Sequence, residues 1–161
     1  MKYVDIRLVV LAMSFIAIFH ACAPKNAASS GAVSQEPLTT PKGDFRMVTY
    51  NVENLFDVID NPNTADEDFL PYGMNRWTED RYNLKLKHIF KVLSNISEWD
   101  FPDVMCFTEI ESREALNDLL ERTPLSNGDF GIIHHESPDP RGIDVAFLYR
   151  RASLRPIQDE I

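Results

Sequence analysis

Short apolar runs alternate with amphipathic stretches along most of the chain, and the two periods separate strands from helices. Phe45 to Val52 (FRMVTYNV) holds Met47, Val48, Tyr50 and Val52 and predicts a first strand. Asp57 to Asn75 is polar, contains Pro62 and Pro71, and predicts an excursion loop. Thr78 then stands as the cap of a helix with Glu79 and Asp80 in its first turn, on the positive end of the helix dipole. Tyr82, Leu86, Ile89, Leu93 and Ile96 recur at spacings of four and three, so that helix has one apolar face to lay on a sheet. Arg81, Lys85, Lys87 and Lys91 fall largely on its solvated side.

Val104 to Phe107 is a continuous apolar run, the pattern of a strand covered on both faces. It ends in Thr108 and Glu109, which puts a carboxylate at the carboxyl end of a buried strand, where ligands bind in layered α/β folds. Ser112 caps a second helix over Arg113 to Arg122. Phe130 to His135 and Val145 to Tyr149 predict two further strands, joined by a Pro/Gly turn through Ser137 to Gly142. Strands interleaved with helices predict an α/β layered architecture.

The first residues read as a targeting signal. Lys2 and Arg7 flank an apolar core from Leu8 to Phe19, which is shorter than the about 20 residues that span a bilayer and fits a signal peptide. Phe19-His20-Ala21-Cys22 resembles a bacterial lipobox, so Cys22 is expected to carry lipid. Residues 23–43 are rich in Ala, Ser, Thr and Pro without apolar periodicity, as in a flexible tether. The expected organisation is a lipoprotein signal peptide over 1–21, a tether over 22–43 and a folded domain over 44–161. Its expected location is the bacterial cell envelope, with an N-terminal lipid anchor on the membrane.

Composition narrows the functions. A hydrophobic fraction of 44% and a charged fraction of 25% are those of a globular protein. A net charge of -9 excludes passive binding to a polyanion through a basic face, so any phosphate handled here needs a local cation. Two cysteines make no disulfide framework, and Cys106, inside the apolar run, reads as core packing. Asp66-Glu67-Asp68 lacks the EF-hand pattern, since Pro62 and Ala65 break it, and reads as solvated loop. His134 and His135 are strand neighbours facing opposite sides, a poor pair for one metal. Ser137, His135 and Asp139 have the side chains of a hydrolytic triad, but being drawn from one turn they have no geometric support as one.

Four segments then carry a resemblance. Tyr50-Asn51-Val52-Glu53-Asn54-Leu55-Phe56, Arg76-Trp77-Thr78, Asp103 to Glu109, and Ser137-Pro138-Asp139 with Arg141-Gly142-Ile143-Asp144-Val145-Ala146 resemble, in this order, the N-terminal half of the endonuclease/exonuclease/phosphatase superfamily. The resemblance implies a deoxyribonuclease I-like layered sandwich of mixed β-sheets flanked by helices. It implies hydrolysis of a phosphodiester, with nucleic acid the first substrate class, and Mg²⁺ (or Mn²⁺) as cofactor.

Residue by residue, the resemblance makes Glu109 the metal ligand and places Asn51 beside both metal and scissile phosphate. Arg141 and Asp144 match positions facing the phosphate. Where deoxyribonuclease-like members carry an Arg two residues after the metal glutamate, this chain has Glu111. The Gly-Asp-x-Asn and Ser-Asp-His segments that complete the family site do not occur in the sequence. The expectation is therefore a truncated domain, with two functions open: a metal-dependent nuclease-type hydrolase inactive as this fragment, or a non-catalytic envelope lipoprotein using the half-fold as a binding module.

Overall fold

The computed structural model describes residues 2–3, 45–98 and 100–157. In chain order the elements are β1 (Lys2–Tyr3), β2 (Met47–Leu55), α1 (Glu79–Ser97), β3 (Val104–Ile110), α2 (Arg113–Glu121), β4 (Phe130–His135), β5 (Asp144–Arg150) and β6 (Leu154–Arg155). A short 3-10 turn spans Glu67–Phe69 in the long loop, and a second spans Pro124–Asn127. The α/β class expected from the pattern holds. Cys22 and the tether lie outside the described residues, as does the leader apart from a parallel pairing of Lys2–Tyr3 with Leu154–Arg155.

The main sheet has four strands in the order β2-β3-β5-β4. β2 runs parallel to β3, while β5 runs antiparallel to both β3 and β4. β3 is interior to the sheet, which is why its residues Val104 to Phe107 are all buried. The first strand runs past its expected end at Val52 to Leu55, because a register shift between Asn51 and Leu55 lets the chain rejoin β3 at Ile110.

One face of the sheet receives both helices. Val52, Leu55, Phe56, Met105 and Phe107 pack there with Tyr82, Leu86, Ile89 and Leu93 of α1 and Leu116 and Leu119 of α2. A side chain of this kind gains about 1.5–3 kcal/mol on full burial. The helix stripe differs from expectation in its last position. Ile96 is 50% exposed, while Ser97 is buried with its hydroxyl donating to Leu93 O at 2.5 Å. At about 100° per residue Ser97 falls on the line of Leu86 and Leu93, while Ile96 falls on the flank of the stripe beyond Ile89, in the last turn of the helix. The opposite face carries a smaller cluster of Val104, Cys106, Ile133, Phe147 and Leu154.

The end of the sheet where β2 and β3 begin is locked by polar bonds. The Arg150 guanidinium donates to both carboxylate oxygens of Asp100 at 2.9 and 2.7 Å, and to Phe101 O at 2.6 Å. Arg46 donates through its side chain to Asp100 O and Phe101 O, and through its backbone N–H to the Asp103 carboxylate. The opposite end is left for chemistry.

Candidate active site

Strand direction gathers the candidate residues. Because β2 and β3 are parallel and β5 opposes both β3 and β4, the carboxyl ends of β2, β3 and β4 meet the start of β5 along one edge. Asn51, Thr108, Val145 and His135 form one register row across it. The backbone at this edge is strained. Glu53, Asn54 and Glu109 have φ of 55°, 62° and 66°, in the left-handed region that costs a non-glycine residue on the order of 1 kcal/mol. Register shifts in both strands coincide with them, between Asn51 and Leu55 and between Thr108 and Ile110. Bulges and left-handed residues gathered at one sheet end are characteristic of sites where side chains are re-aimed.

What they aim is the Glu109 carboxylate. Asn51 Nδ2 donates to Glu109 Oε1 at 2.8 Å, and the Asn54 backbone N–H donates to Oε2 at 3.0 Å. Asn51 is itself held, its Oδ1 accepting the Glu53 N–H at 2.7 Å. Lys85 Nζ donates to Glu53 O at 3.1 Å, so this lysine reaches back from α1 to the site edge instead of lying on a purely solvated face. The carboxylate is thus fixed by one side chain and one backbone donor while remaining only half-buried.

Behind Glu109 the chain turns acidic and dry. Glu111 is 7% exposed and its Oε2 accepts the Asp57 N–H at 2.6 Å. Burial pushes its carboxyl up to about 8, an effect that Asp57 and Asp66 reinforce. Asp57 is also raised, chiefly by burial. Trp77 closes this region from below: its indole N–H donates to Phe56 O at 2.8 Å, while Phe69 stacks on Phe56 with ring centroids 4.1 Å apart.

A family model for the Endonuclease/Exonuclease/phosphatase family matches residues 46–160. The chain belongs to this family. No curated protein matches the chain, and neither does any solved structure. Members of the endonuclease/exonuclease/phosphatase family are phosphodiesterase- and nuclease-type hydrolases acting on phosphodiester or nucleic acid substrates, generally with a divalent metal. The family match takes in Asn51, Glu109, Arg141 and Asp144. A carboxylate beside a carboxamide is a hard oxygen donor set, and it suits Mg²⁺ or Mn²⁺.

The structure brings Asn51 and Glu109 into contact and leaves Arg141 and Asp144 outside that contact. Arg141 is exposed and forked onto its turn partner, with Nε 3.2 Å from Asp139 Oδ1 and Nη2 3.0 Å from Oδ2. The bond to Asp139 is what chiefly raises its pKa, and the Glu109 charge, near enough to be felt, adds to this. Asp144, expected to face the phosphate, is instead turned inward, with its side chain fully buried. Its Oδ1 accepts the Ser137 N–H at 2.6 Å, and the register shift before Ile110 sets the start of β5 below the sheet edge. Asp66, read as part of a solvated loop, is 1% exposed because its carboxylate accepts the Asn61 N–H at 3.0 Å and turns the loop over the core. Ser137 spends its hydroxyl inside the turn, donating to Ile143 O at 2.8 Å, so it is no nucleophile.

Sequence reasoning missed His134, Glu136 and the structural part played by Glu111. Ten positions separate His134 from Asp144 in the sequence, yet the fold brings them together: His134 Nε2 lies 2.9 Å from Asp144 Oδ2. The available signal was the parity of the hairpin. His134 pairs with Ala146 across β4 and β5, so Asp144, two residues before Ala146, shares its face.

Proposed function

We propose that the chain is a Mg²⁺- or Mn²⁺-dependent phosphodiester hydrolase of nuclease type, with Glu109 as metal ligand. The observation that carries this is the Glu109 carboxylate itself. It stands at the end of an interior strand, in a left-handed backbone conformation, with both oxygens oriented by Asn51 and Asn54. Strain and donors spent on one half-buried acid support a binding function, because a surface carboxylate needs neither.

A divalent ion held there would polarise a phosphoryl oxygen and offset the negative charge of the transition state. The protein's own groups do the rest. Asn51 and the Asn54 N–H keep the carboxylate in one rotamer, so no reorganisation is needed when substrate arrives. Arg141 supplies the local cation that a chain of charge -9 needs. Its bond to Asp139 is an exposed ion pair of the kind that contributes little, so a phosphate can take over the guanidinium fork. Asp144 holds the Ser137 turn that presents Arg141. We further propose export and lipid anchoring through Cys22 to the bacterial cell envelope, supported by the short apolar run and the cysteine that follows it.

Glu109→Gln tests the metal assignment. Loss of the charge is expected to abolish saturable Mg²⁺ binding, followed by calorimetry, while the melting temperature of the metal-free protein stays within a few degrees. Unchanged Mg²⁺ affinity in the variant would refute it.

A further inference from the structure

We propose that His134, Glu136 and Asp144 form a second cation site, separate from Glu109, suited to a transition-metal dication of the Zn²⁺ class. Among the described residues these three offer ligand atoms within 4.8 Å of one another. They come from the end of β4, the turn that follows it and the start of β5, and only Glu136 faces solvent.

The buried pair argues for a ligand. His134 Nε2 and Asp144 Oδ2 are 2.9 Å apart, with side chains 5% and 0% exposed. They are not aligned for a hydrogen bond with each other, and each is buried without any hydrogen-bond partner. Two buried polar atoms left in this state are costly, because each gives up its bonds to water without replacing them. A shared cation satisfies both. Around a tetrahedral Zn²⁺, bonds of about 2.0–2.2 Å place ligand atoms roughly 3.4 Å apart, so the two atoms would need to separate by about half an ångström to admit the ion.

The site is also supported from behind. The Ser137 N–H fixes Asp144 Oδ1 at 2.6 Å, leaving Oδ2 to point at His134, as outer hydrogen bonds orient carboxylate ligands in metal sites. Glu136 closes the set from the solvent side and gives an ion its way in. The donor set decides the class of metal. An imidazole nitrogen with two carboxylates suits Zn²⁺ better than Mg²⁺, which prefers oxygen alone, so the two sites would select different ions. Bound there, the ion would tie the end of β4 to the start of β5 and so brace the Ser137–Gly142 turn that carries Arg141. The alternative is a direct His134–Asp144 contact, which needs no metal.

Zn²⁺ titration of the full chain, tag-free and in a Cys22→Ser background, separates the two. One equivalent of Zn²⁺ is expected to bind and raise the melting temperature, and Glu109→Gln is expected to keep that step. Glu136→Gln, an exposed change that leaves the chelator-treated protein equally stable, is expected to weaken Zn²⁺ by about tenfold or more. His134→Gln should remove the step. Absence of saturable Zn²⁺ binding, a step that Glu136→Gln leaves unaltered, or one lost in Glu109→Gln would overturn the second site. Only the last of these would place the ion at Glu109, so failure here and failure of the Glu109 assignment give different results.

Discussion

Asn51 illustrates how one side chain can serve a site by orienting another. Its amide donates to Glu109 and its carbonyl accepts the Glu53 N–H, so it links a strained turn to the carboxylate it positions. Asn51→Ala is expected to weaken Mg²⁺ binding by about tenfold to a hundredfold with little change in stability, since the residue is exposed; a Mg²⁺ titration and the melting temperature measured together check this. Glu111 shows the opposite use of an acid. Its carboxyl is displaced from an ordinary value of 4.5 up to about 8, first by burial, so the fold favours the protonated form. The stabilisation this gives is complete below about pH 4.5 and is lost as pH rises through 8, by an amount on the order of a few kcal/mol. Glu111→Gln keeps an acceptor for the Asp57 N–H and cannot ionise. In chelator-treated protein its melting temperature should match wild type near pH 5 and exceed it increasingly between pH 7 and 9. A constant difference across that range would contradict the shift.

At the scale of elements, the Ser137–Gly142 turn is what couples the hairpin to the long loop. Ala65 N–H donates to Pro140 O at 2.8 Å, and Gly142 N–H to Asp139 O at 2.9 Å. Gly142 has φ +72°, and a Cβ there would lie 2.6 Å from Thr64 Cγ2, so both backbone and neighbour demand glycine. Gly142→Ala is expected to destabilise the protein by about 1–3 kcal/mol. Adding Thr64→Ser, which removes the obstructing methyl, should recover part of the loss in a denaturant titration and leave the backbone share. The helices are clipped together by similar local means. Arg122 bonds Asp118, Glu79 and Asn83, and covers the Tyr82 ring, whose hydroxyl donates to Asp118.

Across the whole molecule, one end of the sheet is bonded shut and the other is built from strained strand ends, turns and acids. Such a division keeps the scaffold rigid where function does not act. Cys106 belongs to the scaffold, its thiol pushed up to about 12 by burial. Among the described residues no helix is long and apolar enough to cross a membrane; the membrane association proposed above is through lipid at Cys22. Stable attachment takes more than one acyl chain. In the native host, wild-type protein is expected in the detergent phase of a phase-separated extract and Cys22→Ser in the aqueous phase; equal partition would dismiss the anchor.

The elements were legible because each depends on local periodicity: the run Val104 to Phe107, the stripe through Tyr82 and Leu93, the Ser112 cap that accepts Ala115 N–H at 3.0 Å. The place of Glu109 at the end of a buried strand was legible too, since a polar residue ending an apolar run is a local signal, and the ordered segments from Asn51 to Asp144 carried the family. The Glu111 bond to the Asp57 N–H, the inward turn of Asp144 and its meeting with His134 were not. Each joins groups that sequence spacing leaves unrelated, and each depends on strand order or on a bulge that shifts register by a residue. A one-residue shift sends a side chain from surface to interior, and no pattern along the chain states where it occurs.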